Sequence, residues 1–198
     1  MNHGPLHRIF IAVDLDPALR GAVSELEGRL TEAGVRLRWI PAENLHFTVR
    51  FLGEITPAQV AQVKLAARAA AAETVPFRLT LHGVGAFPSL QQPRVVWIGV
   101  REGGEELAAL SGRLDDALAG HRFPRENRPY EAHLTLARVR DRRLWRELVR
   151  ALEVFHDATV GGQEVRSLSV MESHLRPGGA RYVKVEEVTF GPTLKSPA

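Results

Sequence analysis

Apolar side chains recur along this chain with two periods, and the switching between them predicts a mixed α+β protein. Arg8–Leu15 alternates and is rich in β-branched residues, which predicts a first strand. Asp16 then stands where a helix N-cap belongs, with Pro17 at the first helical position. Leu19, Val23, Leu26 and Leu30 follow at helical spacing, and Gly34 marks the stop. Leu45–Leu52 predicts a second strand. Thr56-Pro57-Ala58-Gln59 has the form of a capping box, opening a helix that runs through an alanine-rich segment to about Glu73. Phe77–Val84 and Arg94–Val100 predict two more strands, separated by a loop rich in Gly, Pro and Gln.

The second half repeats this logic. Leu107, Leu110, Leu114 and Leu118 give Glu105–Ala119 an apolar face, which predicts a helix. A polar loop, His121–Tyr130, precedes a strand at Ala132–Val139, and Leu144, Leu148 and Leu152 mark a further helix. Strands are predicted near Glu164–Glu172 and Arg181–Phe190. Strand–helix–strand–strand thus occurs roughly twice, and the mixed connections favour antiparallel sheets over a doubly wound one. No glycine-rich loop follows any strand, so a nucleotide-binding Rossmann or P-loop fold is excluded.

Composition narrows this picture a little. With 198 residues, 44% hydrophobic and 25% charged, the chain can bury one substantial core or two small lobes sharing one. Met1–Pro5 and Pro192–Ala198 read as frayed tails. No apolar run approaches the length of a membrane span, and Ile9–Val13 is stopped by Asp14 too early for a signal-peptide core. A cytoplasmic, monomeric protein without a membrane partner is expected. There is no cysteine, which excludes disulfides, thiolate catalysis and thiolate metal sites. The net charge is +3, yet among 26 basic residues only Lys64, Lys184 and Lys195 are lysines. The rest are Arg, whose planar fork matches a phosphate bidentately. Arginine is densest between His121 and Arg150, a patch that can meet a polyanion.

The decisive feature is a tetrapeptide present twice, His46-Phe47-Thr48-Val49 and His133-Leu134-Thr135-Leu136. Chance predicts about 0.4 His-x-Thr triplets in such a chain, and roughly 0.07 with apolar residues at the second and fourth places. On a strand, His46 and Thr48 share one face, about 7 Å apart, while Phe47, Val49 and Phe51 lie on the other, where they can enter a core. The second copy has the same form. Two such strands about a pseudo-two-fold axis line one groove with two imidazoles, each with a hydroxyl beside it. Imidazoles with ordinary pKa values near 6.5 supply one base and one acid at neutral pH. A metal centre needs a third ligand and carboxylates behind it, and neither tetrapeptide has a His or Glu partner beside it. A serine hydrolase needs a G-x-S-x-G elbow, and the chain has none. No cofactor is expected.

These residues resemble the 2H phosphoesterases, and within them the LigT-like RNA 2′,3′-cyclic phosphodiesterases. The likeness begins with Arg8-Ile9-Phe10-Ile11-Ala12-Val13-Asp14 and continues through the first motif in its setting, Asn44–Glu54. It extends to Arg94–Val100, to Asn127–Arg138 around the second motif, and to Ser173-His174-Leu175 with Gly179-Ala180-Arg181-Tyr182. The chain departs from the pattern at Tyr130-Glu131-Ala132, where relatives often carry Phe-x-Pro. The resemblance implies one domain over residues 1–198 with two pseudo-symmetric lobes, an antiparallel sheet in each and the active site between them. It implies metal-free hydrolysis of an RNA 2′,3′-cyclic phosphate to a 2′-phosphate, and in some members 2′–5′ joining of RNA ends. Strand geometry assigns no order to the two imidazoles. The resemblance makes His46 the proton donor and His133 the base, with Thr48 and Thr135 on the phosphate.

Further substrate contacts follow from position alone. Arg50 shares parity with His46 and can reach a phosphate. Arg138 has the opposite parity from His133, so it reaches the phosphate only through a bulge or the strand's end. Arg128 and Tyr130 sit in the loop before the second motif, within reach of RNA. Phe10 and Trp97 are better placed for core packing than for stacking on a base. Two other functions stay open: an RNA-end-binding protein without turnover, and a phosphodiesterase for a small cyclic phosphate such as an ADP-ribose derivative.

Overall fold

The computed structural model describes residues 5–177 and 179–191, so the expected tails lie, Pro5 aside, outside the described residues. Along these residues run β1 (His7–Asp14), α1 (Pro17–Glu32), β2 (His46–Ile55), α2 (Pro57–Ala72), β3 (Phe77–Ser89) and β4 (Gln92–Glu102). They are followed by α3 (Gly104–Gly120), β5 (His133–Arg138), α4 (Trp145–Phe155), β6 (Thr159–Val165), β7 (Ser167–Arg176) and β8 (Gly179–Thr189). Short 3-10 turns at Ala42–Asn44 and Arg142–Leu144 precede β2 and α4.

Local signals account for most of these elements. Asp16 accepts from the Leu19 amide at 2.7 Å, and Pro17 begins α1. At α2 the capping box is complete: Gln59 N–H donates to Thr56 Oγ1, and Thr56 N–H donates to Gln59 Oε1. Gly34, with φ +95°, takes the left-handed turn after α1.

The strands form two antiparallel sheets, ordered β2-β1-β7-β8 and β5-β4-β3-β6. The lobes are therefore not the two halves of the sequence. The first sheet joins the opening pair of strands to the closing pair, and the second holds the middle four. The strand expected near Glu164–Glu172 is two strands, because the chain leaves one sheet for the other at Arg166. The loop expected between Val84 and Arg94 is largely hairpin, since β3 runs to Ser89 and β4 begins at Gln92. Gly85 is what its crossing with β4 requires: a Cβ there would collide with the Trp97 indole.

Helix α2 packs on β1, β7 and β8, while α3 bridges α2, β2 and β4. Helices α1 and α4 pack on the second sheet, α1 on β6 and α4 on β3 and β4. Leu30, Phe47, Leu79, Ile98, Leu114 and Leu134 are among the fully buried residues of the shared core. The edge strands β2 and β5, one from each sheet, touch each other. These two edges carry the repeated tetrapeptides.

Candidate active site

Both histidines open their strands and are anchored the same way. His46 Nδ1 lies 2.8 Å from the Asn44 carbonyl oxygen, and His133 Nδ1 lies 2.8 Å from that of Glu131. A carbonyl only accepts, so in each ring Nδ1–H is the donor and Nε2 is the nitrogen left for chemistry. The Asn44 side chain in turn donates to the Ala180 carbonyl at 3.1 Å, tying the first anchor to β8. His46 sits in an aromatic corner, with the Phe10 ring 4.8 Å away and the Tyr182 ring meeting it edge-on at 5.2 Å. The Phe87 ring meets His133 edge-on at 5.0 Å. Burial pulls the His46 pKa below its ordinary value, against the raising influence of the Asn44 carbonyl and the Asp14 carboxylate.

The two rings line one groove of about 1340 Å³, together with Thr48 and Thr135. The Thr48 hydroxyl is 3.0 Å from His46 Nε2. Seven arginines line the groove against two acids, Glu43 and Asp141, among the described residues. The arginines come from β1 (Arg8), the segment before β2 (Arg36, Arg38), the end of β5 (Arg138, Arg140) and the β7–β8 hairpin (Arg176, Arg181).

Simple alternation fails just past each motif. On β2 the pairing with β1 runs Thr48↔Ala12 and then Arg50↔Ile11, so Val49 is an extra residue. On β5 it runs Thr135↔Trp97 and then Ala137↔Val96, so Leu136 is extra. Each bulge falls at the fourth motif position and turns the strand over. Arg50, expected beside His46, points inward and is 8% exposed. It pairs with Asp115 and Glu126 at 2.8 Å each and donates to the Pro124 carbonyl. Phe51, expected in the core, is 46% exposed and lines the groove. Arg138 reaches the groove through the second bulge.

The other loop residues fall elsewhere. Neither Arg128 nor Tyr130 lines the groove. Arg128 is exposed, and Tyr130 packs against the core, where burial pushes its phenol up. Phe10 is buried but forms the floor of the His46 corner, and Trp97 packs on Phe87 at 5.2 Å.

Phe51 and Arg8 line the groove although strand alternation puts Phe51 in the core, and the Arg8 guanidinium lies 4.8 Å from the centre of the Phe51 ring. One signal was present: Phe51 and Arg138 each follow their histidine by five residues. Among the described residues, no group of three or more His, Asp or Glu side chains could hold a metal ion. No helix there is long and apolar enough to cross a membrane.

Comparison with known proteins gives a consistent result. The model of the 2'-5' RNA ligase superfamily matches residues 15–175. The RNA 2',3'-cyclic phosphodiesterase of Methanothermobacter thermautotrophicus is 34% identical over 179 residues, 90% of this chain and 96% of that one. The protein of the same name from Archaeoglobus fulgidus is 35% identical over 88% of this chain and 96% of its own. Among solved structures, a Thermus thermophilus protein superposes with a TM-score of 0.75 at 25% identity, covering 92% of this chain and 97% of that one. E. coli LigT complexed with 3'-AMP shares the fold, with a TM-score of 0.74 at 24% identity over 93% and 98% of the two chains.

Proposed function

This chain belongs to the 2'-5' RNA ligase superfamily, and on that premise we propose that it is an RNA 2′,3′-cyclic phosphodiesterase with two catalytic histidines. The observation that carries this reading is the matched pair of anchors. Two imidazoles, each with Nδ1–H tied to a carbonyl two residues upstream, line one groove from facing edge strands.

A 2′,3′-cyclic phosphate needs little more than a water in line with the departing 3′ oxygen and a proton for that oxygen. His133 Nε2 takes the proton from the attacking water. His46, protonated at Nε2, gives its proton to O3′ as the P–O3′ bond breaks, leaving a 2′-phosphomonoester. Thr48, Thr135 and Arg138 hold the phosphate oxygens, where their donors meet the charge of the transition state. Phe51, backed by Arg8, offers a face on which the terminal base stacks. An RNA 5′-hydroxyl in place of the water gives a 2′–5′ phosphodiester by the same proton transfers. Every proton has an imidazole to carry it, so this mechanism assigns no step to a metal or cofactor. The groove's volume and arginine content favour a polynucleotide end over a small cyclic phosphate.

The test is a cleavage assay with labelled RNA ending in a 2′,3′-cyclic phosphate, run in EDTA. Conversion to the 2′-phosphate is expected, and His46→Ala and His133→Ala should each lower turnover by about 10²–10⁴-fold with the fold intact. Activity lost in EDTA and restored by Mg²⁺ or Zn²⁺ sinks the metal-free mechanism. Tight binding of that RNA without turnover makes the protein an end binder. Faster turnover of a small cyclic phosphate than of the RNA reverses the substrate assignment.

A further inference from the structure

The two histidines are anchored alike at Nδ1, so the acid and the base are told apart by other differences around them. The strand partners supply one. His46 stands directly opposite Asp14 on β1, and direct antiparallel partners present their side chains on the same face, with Cβ atoms about 4.5–5.5 Å apart. His133 stands opposite Gly99 on β4. A Cβ at Gly99 would lie 2.9 Å from the His82 carbonyl oxygen and 3.3 Å from the Trp97 ring, so this backbone admits no carboxylate there.

The Asp14 carboxylate is fixed in place. Its Oδ2 accepts from Ser169 Oγ at 2.8 Å, and Ser169 is 1% exposed. Lys184 Nζ lies 2.9 Å from the same oxygen and 2.9 Å from Glu187. The Asp14 carbonyl accepts from the Gln163 side chain at 2.8 Å.

We propose that Asp14 is the positioning residue that makes His46 the proton donor, with Lys184 as the counter-charge that limits its effect. This rests on the acid–base reading above. Burial disfavours the protonated form of His46 and prevails, while the Asn44 carbonyl and Asp14 favour that form and limit the lowering. The other titratable and charged groups around the site oppose or merely flank this effect. Tyr182 on β8 packs on the ring, with Lys184 and Glu187 further along the same strand. Glu43 lies in the turn before β2, Arg8 on β1, Arg181 on β8, and His133 and Arg138 face the groove from β5. Burial works against the Lys184 charge, but its bonds to Asp14 and Glu187 prevail and hold its pKa above the usual value.

The experiment pairs pH profiles of kcat/KM on the cyclic-phosphate RNA with an NMR titration of the His46 imidazole. The substitutions are Asp14→Asn and Lys184→Met. Asparagine keeps an acceptor for Ser169 and the side-chain shape, so only the charge is lost. A donor works protonated, so its titration appears as the alkaline limb. In Asp14→Asn that limb and the His46 titration should both move to lower pH while the acid limb stays put. In Lys184→Met both should move to higher pH.

A His46 titration unmoved in a folded Asp14→Asn protein overturns the proposal alone. A titration that moves while the alkaline limb stays fixed removes His46 as donor, and the proposal falls with that reading. Should Asp14→Asn fail to fold, Lys184→Met decides, and an unmoved titration there overturns the proposal.

Discussion

Phe51 and Arg138 occupy the same place on facing strands, one closing the groove with a phenyl ring and the other with a guanidinium. Each lies five residues past its histidine, and each is turned outward by a bulge at the fourth motif position. The doubled motif is thus symmetric in its histidines and threonines and asymmetric in the side chains just beyond them. That asymmetry matches a terminal nucleotide, which has an aromatic base on one side and an anionic phosphate on the other.

The two side chains should therefore fail differently. Phe51→Ala loses a stacking face worth about 1–3 kcal/mol, which should raise KM roughly five- to a hundredfold on an RNA substrate. On ribose 2′,3′-cyclic phosphate, which has no base, the same variant should behave like the parent. Arg138→Ala loses a charge-assisted contact worth about 1.5–3 kcal/mol and should lower kcat/KM roughly ten- to a hundredfold on both substrates. Steady-state kinetics on the pair decides the matter, and equal losses for Phe51→Ala on both would remove its stacking role.

Much of the fold was legible because its signals are local. The Asp16 cap, the Thr56 capping box and the apolar faces of α1 and α3 are each written within a turn or two of helix. The part that was not legible is non-local. Apolar Val165 is followed by Leu168 and Val170 in the opposite phase, and the chain changes sheets within that slip, because partners far away in sequence differ on either side of Arg166. The histidines and threonines were legible because a repeated pattern needs no partner to be seen. The bulges were not, since a one-residue insertion leaves no mark in an alternating run. That single shift exchanged the places expected for Arg50 and Phe51.

Arg50 consequently becomes a stability prediction. Its guanidinium joins β2 to α3 and the following loop through Asp115 and Glu126, and Asp115 has only 15% of its side chain exposed. Arg50→Met would leave the Asp115 carboxylate buried without its partner, a loss of about 3–5 kcal/mol. Urea unfolding should show that loss, while KM for the cyclic phosphate stays near the parent value at a temperature where the variant is folded. A large rise in KM with unchanged stability would return Arg50 to the substrate.

Glu27 on α1 gives a pH-dependent prediction. Burial pushes its carboxyl up to about 7 from 4.5, and its Oε1 is buried without a hydrogen bond to any described residue. Between those two pH values the unfolded chain releases this proton before the folded one does, so stability falls as pH rises through the window. Glu27→Gln removes the charge at every pH. Its melting temperature should exceed the parent's above pH 7 and approach it below pH 4.5, with the gain moderated by the water this side chain still meets. Identical pH dependence in both proteins would contradict the burial effect.

The threonines separate phosphate recognition from proton transfer. Thr48 and Thr135 lie two residues after each histidine and line the same groove. The Thr48 hydroxyl lies against His46 Nε2, whereas that of Thr135 makes no hydrogen bond to any described residue. Valine keeps the shape and β-propensity at either place, so the strands should persist. Each variant loses a hydrogen bond to a charged phosphate, worth about 1.5–3 kcal/mol, or roughly ten- to a hundredfold in kcat/KM. Both limbs of the pH–rate profile should remain, because both imidazoles remain. Thr48→Val also frees His46 Nε2 from its only hydroxyl partner among the described residues, so its alkaline limb should shift while that of Thr135→Val should not. If Thr48→Val loses a limb while kcat/KM at the optimum is unchanged, the hydroxyl serves the imidazole and not the phosphate.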